Sequence, residues 1–131
     1  MITNGKEAKE KLLAGINKTA DIVKSTLGYR GRTVMISDQL RLGFHITKDG
    51  VTVAKSVNLE DEVESLGAEF IKQASNKTVL NVGDSTTSTA VLTQKMCNMV
   101  QDYLELGVNP HNLKNDLCLL YTSDAADDLL C

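Results

Sequence analysis

Asn81 to Ala90, N-V-G-D-S-T-T-S-T-A, puts one carboxylate and a run of hydroxyls where a long helical pattern begins. The first N–H groups of a helix lack an intrahelical acceptor and attract anions, phosphate above all. A carboxylate beside such a site repels phosphate unless a divalent cation stands between them. Asp84 with Ser85, Thr86, Thr87 and Ser88 therefore points to a magnesium–nucleotide site, with Asp84 as the metal ligand. Asp or Ser before an apolar run also caps ordinary helices, and that is the competing reading.

Two more glycine-containing turns sit at the ends of regular elements: Thr26-Leu27-Gly28-Tyr29-Arg30-Gly31-Arg32 and Thr47-Lys48-Asp49-Gly50. Gly28 and Gly31 would let the backbone approach a ligand closely. Asp49 and Asp84 would divide the labour, one holding a metal and the other orienting water for attack on a terminal phosphate. None of the three turns matches G-x-x-x-x-G-K-[ST] or G-x-G-x-x-G. Taken singly, Asp49-Gly50 also reads as a plain turn and Gly28 as a helix stop.

Those turns must be held by regular elements. The 131 residues allow one domain at most, and 24% charged with 42% apolar residues is a globular composition. Aromatics are 4% and Trp is absent, so stacking platforms for bases are scarce. A net charge of -3 gives no basic footprint, and nucleic acid is not expected as a partner. No apolar run has signal-peptide or membrane-spanning length, which predicts a cytoplasmic protein with no membrane partner. Cys97, Cys118 and Cys131 form neither a ligand spacing nor a disulfide framework.

Residues 7–27 read as a helix, with Ala8, Leu12, Ile16, Ala20, Val23 and Leu27 at spacings of three and four. Val34–Ile36 is a strand candidate, and Ser37–His45 a loop that returns it. Ile46-Thr47 and Val51-Thr52-Val53 read as β-branched pieces broken by a turn at Lys48-Asp49-Gly50. A second helix is predicted from Asp61 to about Leu80, with Val63, Leu66, Phe70 and Ala74 on its inner face. A third runs from near Thr86 to Leu106, with Met96 and Met99 as core filler and Gly107 as its stop. Asn109-Pro110 opens a short fourth. The fold class is mainly α, with three long helices and a small β-hairpin element.

From Cys118 the character changes. The last fourteen residues carry three of the 17 acidic residues and none of the 14 basic ones. Cys118 to Asp128 resembles the conceptual translation of a sequencing adapter. Residues 118–131 are accordingly expected to be a non-native tail, and the natural sequence to continue beyond Leu117.

In combination the motifs carry a resemblance. T-L-G-Y-R-G-R-T-V (26–34), I-T-K-D-G-V-T-V-A-K (46–55), L-E-D-E-V-E-S-L-G-A-E (59–69), G-D-S-T-T-S-T-A-V-L (83–92) and G-V-N-P-H-N-L-K (107–114) resemble the opening of a group I chaperonin of the 60-kDa heat-shock family. The resemblance spans residues 5–117. It implies that residues 1–117 are the N-terminal half of an ATP-binding equatorial domain. It also implies that Thr26, Leu27, Gly28 and Tyr29 border the nucleotide. Lys48 would offer its carbonyl near the nucleotide and a potassium ion, and Asp84 would ligate magnesium. Residues 85–88 would wrap the phosphates, and Asp49 would help position the attacking water. Ring subunits of its own kind, unfolded client polypeptides and a co-chaperonin are the implied partners, and ATP, Mg2+ and K+ the implied cofactors.

Two departures from the family pattern fall on the site. Tyr29 stands where the family has Pro, and Ser85 where it has Gly; a Cβ at position 85 costs on the order of 1 kcal/mol if the backbone there has positive φ. A divergent member is expected, viral or from an unusual bacterium. The 131-residue chain alone is expected neither to hydrolyse ATP at a useful rate nor to refold clients. The alternative function is a non-catalytic chaperonin-like module that docks into rings; a small free-standing phosphate- or metal-binding helical protein is a third.

Overall fold

The computed structural model describes residues 5–38 and 43–122. The elements in chain order are α1 (Lys6–Lys24), β1 (Val34–Asp38), β2 (Gly43–Thr47), α2 (Gly50–Ser56), α3 (Glu62–Val82), α4 (Thr86–Glu105) and α5 (Pro110–Thr122). The fold is mainly α-helical with one antiparallel hairpin, as the periodicity predicts. It divides into two compact units, Met1–Lys95 and Met96–Cys131.

In the first unit α1 crosses α3 at the backbone itself. A Cβ on Gly15 would run into the carbonyl of Glu64, and one on Gly67 into the carbonyl of Leu12 and the N of Ile16. Two glycines facing each other across the crossing permit that approach, and only a hydrogen fits there. The buried residues beside it are Ile16, Thr19, Ala20 and Val23 of α1, with Ala68, Ile71 and Ser75 of α3. Lys18 reaches both carboxylate oxygens of Glu64 at 2.7 Å, and Lys11 meets Asp61 at 3.1 Å. Such partly exposed pairs are worth about 0–1 kcal/mol each, so the crossing is held by packing.

This crossing corrects the predicted inner face of α3. Leu66 is 64% exposed and Phe70 50%, while Gly67, Ala68, Ile71 and Ser75 are buried. The inner face lies one residue further round, about 100° of helix rotation. Large apolar residues mark an inner face only where the neighbour stands at ordinary distance. Here the close approach selects small ones.

Val51-Thr52-Val53 is a second correction: these residues open α2 rather than a strand. Asp49 takes the N-cap position, accepting the N–H groups of Val51 and Thr52. Val53 and Ala54 then fall on one side of a helical turn and are buried, at 0% and 1% exposure. Capping and burial together override the strand preference of three β-branched residues. α1 ends at Lys24 rather than residue 27, and its chain leaves through tightened bonds from Ser25, Thr26 and Leu27 to the carbonyls of Ile22, Val23 and Lys24.

The hairpin pairs Val34 with Thr47, Met35 with Ile46 and Ile36 with His45. It extends into the predicted 37–45 loop, whose residues 39–42 lie outside the described ones.

In the second unit, the N–H groups of Gly107 and Val108 close the end of α4 on the carbonyls of Leu104 and Tyr103. Met96, Met99 and Tyr103 are about half-exposed, so neither methionine is the core filler expected. The side chain of Asn109 accepts the N–H of His111 and starts α5 with Pro110 in its first turn, as predicted. α5 continues through residue 118, the predicted start of the tail, and residues 123–131 lie outside the described ones. Cys97 is a free thiol.

Candidate functional site

The turn after α1 and the start of α4 meet in an open cleft of about 210 Å³, lined by Thr26, Leu27, Gly28, Asp84, Ser85, Thr86, Thr87 and Ser88. Residues 26–28 and 84–88, nearly 60 positions apart in sequence, thus form one surface. Thr26 is buried and its hydroxyl donates to the carbonyl of Val23 at 2.7 Å, which anchors the turn to the last residues of α1. Gly28 has φ 76, and the chain folds back so that Gly31 N–H reaches the carbonyl of Gly28 and Arg32 N–H that of Ser25. On the opposite wall, buried Thr86 is pinned to α3 by the Ser75 hydroxyl, which donates to the Thr86 carbonyl at 3.4 Å.

The start of α4 is open. Ser85 holds the N-cap position, since its carbonyl accepts the first intrahelical bond from Thr89 N–H at 2.9 Å. Of the two residues that could have capped the helix, Ser85 therefore stands at the cap and Asp84 one residue before it. Among the described residues the carboxylate of Asp84 reaches only Ser85 N–H, at 2.6 Å. Among the described residues, no side chain accepts the N–H groups of Thr86, Thr87 or Ser88. Those donors and the positive end of the helix dipole face the cleft. Ser85 has φ 72, the only positive φ at a non-glycine among the described residues. A Cβ is therefore carried where glycine would be unstrained, as the departure from the family pattern predicts.

Asp49 does not line the cleft, yet its segment lies against it. Gly50 is buried, and a Cβ there would overlap the Thr87 hydroxyl, which belongs to the cleft wall. The two oxygens of Asp49 are unequally engaged. Oδ2 accepts Thr52 N–H at 2.9 Å and the Thr52 hydroxyl at 2.5 Å, whereas Oδ1 has only a long contact of 3.4 Å from Val51 N–H. The Thr52 hydroxyl, aided by the backbone donors, holds the Asp49 carboxyl below its usual range, so it is ionised at neutral pH. Tyr29 and Lys48 are exposed and outside the cleft lining; the Tyr29 ring packs instead under the guanidinium of Arg30, 5.4 Å from its centroid.

Magnesium is commonly held by one or two carboxylates together with substrate phosphates and water. One carboxylate at the rim of a hydroxyl- and amide-lined cleft fits that pattern. Among the described residues no group of three or more His, Cys, Asp or Glu forms an all-protein metal cage. No helix among them is long and apolar enough to cross a membrane.

Sequence reasoning found both walls of the cleft. It missed the support of Asp49 by Thr52 and the contact of Gly50 with Thr87. The first was legible as the D-x-x-T spacing of a capping side chain; the second depends on a tertiary approach and leaves no local signal.

Residues 19–119 match the TCP-1/cpn60 chaperonin family, and the chain belongs to it. Two solved structures of the chaperonin gp146 from the bacteriophage EL 2 (Pseudomonas aeruginosa), both in presence of ATP-BeFx, are similar to it. Crystal form II is 35% identical with a TM-score of 0.69, covering 76% of this chain and 18% of that one. Crystal form I is 37% identical with a TM-score of 0.64, covering 70% and 16%. The chain therefore spans less than a fifth of the length of these relatives.

Proposed function

We propose that residues 1–117 are the N-terminal half of a group I chaperonin equatorial domain and bind Mg-ATP in the cleft between the 26–28 turn and the start of α4. The observation that carries this reading is the open start of α4, with its unaccepted N–H groups and Asp84 beside them. Phosphate oxygens would accept from the N–H groups and hydroxyls of residues 85–88, and Thr26 to Gly28 would close the other side. Bound magnesium would neutralise phosphate charge; Asp84 is the residue to hold it. Asp49 is held ionised by Thr52 with Oδ1 nearly free, and would orient the attacking water. Lys48 would lend its carbonyl to a potassium ion, and Tyr29 would border the nucleotide from outside the lining. Family membership and the ATP-BeFx present in the gp146 crystals support the nucleotide.

In a full-length chaperonin this hydrolysis would drive changes of ring state acting on unfolded polypeptides, with sister subunits and a co-chaperonin as partners. Residues 118–131 stand outside this reading as the non-native tail, and the family match, ending at residue 119, supports that. The strained Ser85 favours a second reading, a chaperonin-like module that docks into rings without binding nucleotide.

Calorimetric titration of the 131-residue chain with Mg-ATP separates the two. Micromolar binding that falls at least tenfold in Asp84→Ala is expected. No binding at millimolar Mg-ATP, with the chain folded by circular dichroism, would overturn the nucleotide reading.

A further inference from the structure

One face of α4 is uncovered. From Val91 to Tyr103 the exposed residues are Leu92, Lys95, Met96, Met99, Asp102 and Tyr103, and every residue between them is at least partly covered. Leu92 is 63% exposed, and Met96, Met99 and Tyr103 are 44%, 43% and 44%, so the face is apolar as well as open. Its spacing is regular. The four apolar residues follow one another at steps of four, three and four, the heptad pattern of a helix that pairs with another along one seam. Lys95 and Asp102 stand seven apart, immediately before Met96 and Tyr103, and therefore flank the seam on the same side. Among the described residues neither charge has an ion-pair partner within the chain.

We infer that this face of α4 binds the same face of a second copy of the chain, antiparallel about a two-fold axis. The charges select both the occupant and its direction. With Met96 of one copy opposite Met99 of the other, Leu92 falls opposite Tyr103 and Lys95 opposite Asp102. The two-fold axis repeats each contact, so the seam closes with four apolar layers and two ion pairs. A parallel pair would set Lys95 against Val100 and Asp102 against Gly107, leaving both charges unpaired. Sliding the antiparallel pair by one heptad either way sets Lys95 against Lys95 or Asp102 against Asp102. One register thus satisfies every charge, and its neighbours are penalised by like-charge repulsion. The two methionines at the centre are unbranched and polarizable and adapt to each other's shape. A seam of this length buries less than the roughly 1,200 Å² at the lower end of standard interfaces, so the dimer is weak and its population follows concentration. None of these residues lines the cleft, and the inference does not rest on the nucleotide reading.

Sedimentation of the 131-residue chain from micromolar to millimolar concentration at low salt tests this, with circular dichroism to check the fold of each variant. The wild type should pass from monomer to dimer and stop there, because a two-fold contact is closed. Met99→Lys places a charge in both central layers and should weaken the dimer at least tenfold. Lys95→Asp and Asp102→Lys each set like charges across the seam and should weaken it about fivefold. Mixing these two single variants, or combining both substitutions in one chain, should restore association to within about twofold of wild type. Non-specific adhesion of apolar residues elsewhere on the molecule would show no such rescue. A chain that stays monomeric throughout, with the face left to another segment of a longer chain, would overturn the inference. So would a dimer indifferent to Met99→Lys or to the exchange of charges. Mg-ATP affinity should be the same in wild type and Met99→Lys, so failure of the dimer and failure of the nucleotide site are read separately.

Discussion

The starts of α3 and α4 offer the same side chain to the same kind of helix end with opposite results. Asp61 is the N-cap of α3: its Oδ1 accepts the N–H groups of Val63 at 2.8 Å and Glu64 at 3.3 Å, and Lys11 holds its other oxygen. Asp84 stands one place earlier relative to α4, at the residue before the cap, and reaches only Ser85 N–H. That single step leaves the first turn of α4 open to the cleft, while the first turn of α3 is closed by the chain itself. An aspartate at a helix start is therefore structural or ligand-facing according to its register, not its identity.

The largest expected effect comes from removing the frame beneath both starts. Gly67→Val drives a side chain into the backbone of α1 and should cost about 3 kcal/mol or more, enough to abolish a cooperative urea transition followed by circular dichroism. A variant that unfolds like wild type would show that the crossing does not govern the fold. The pair Asp61→Ala and Asp84→Ala then tests the comparison directly. Asp61→Ala should lose about 1–2 kcal/mol of stability in urea and leave Mg-ATP affinity unchanged. Asp84→Ala should lose at least tenfold in Mg-ATP affinity at nearly unchanged stability. If both lose stability equally, the distinction between a closed and an open start fails.

Ser85→Gly sharpens it from the other side. Relief of the positive φ at the open start should raise stability by about 1 kcal/mol, read as a shift in the urea midpoint. The smallest effect is on acid sensitivity. Asp49 and Asp61 both titrate below their usual range in the folded chain, through the Thr52 hydroxyl and the Lys11 ammonium respectively. Their contribution is complete above the unfolded value of about 3.9 and is lost as pH falls through the lowered folded values. Urea midpoints measured from pH 6 down to 2 should therefore drop below about pH 4, and less steeply in Asp61→Ala.

The sequence alone determined the element types wherever a long period or a local chemical signal was present. The three long helices, the cap at Asn109, the stop at Gly107 and both walls of the cleft were legible because each depends on neighbours within a turn or two. The need for glycine-like backbone at Ser85 was legible from the motif it interrupts. Only the tertiary structure decided which face of α3 is buried, because the backbone contact at Gly15 and Gly67 reverses the usual preference for large side chains. It also decided that Val51-Thr52-Val53 is helical, since burial of Val53 and Ala54 is a long-range term absent from strand propensity. The approach of Gly50 to Thr87, which brings the Asp49 segment to the cleft, joins residues 37 positions apart. Contacts of that kind are set by how helices pack, and packing is a property of the whole unit that no local window of sequence contains.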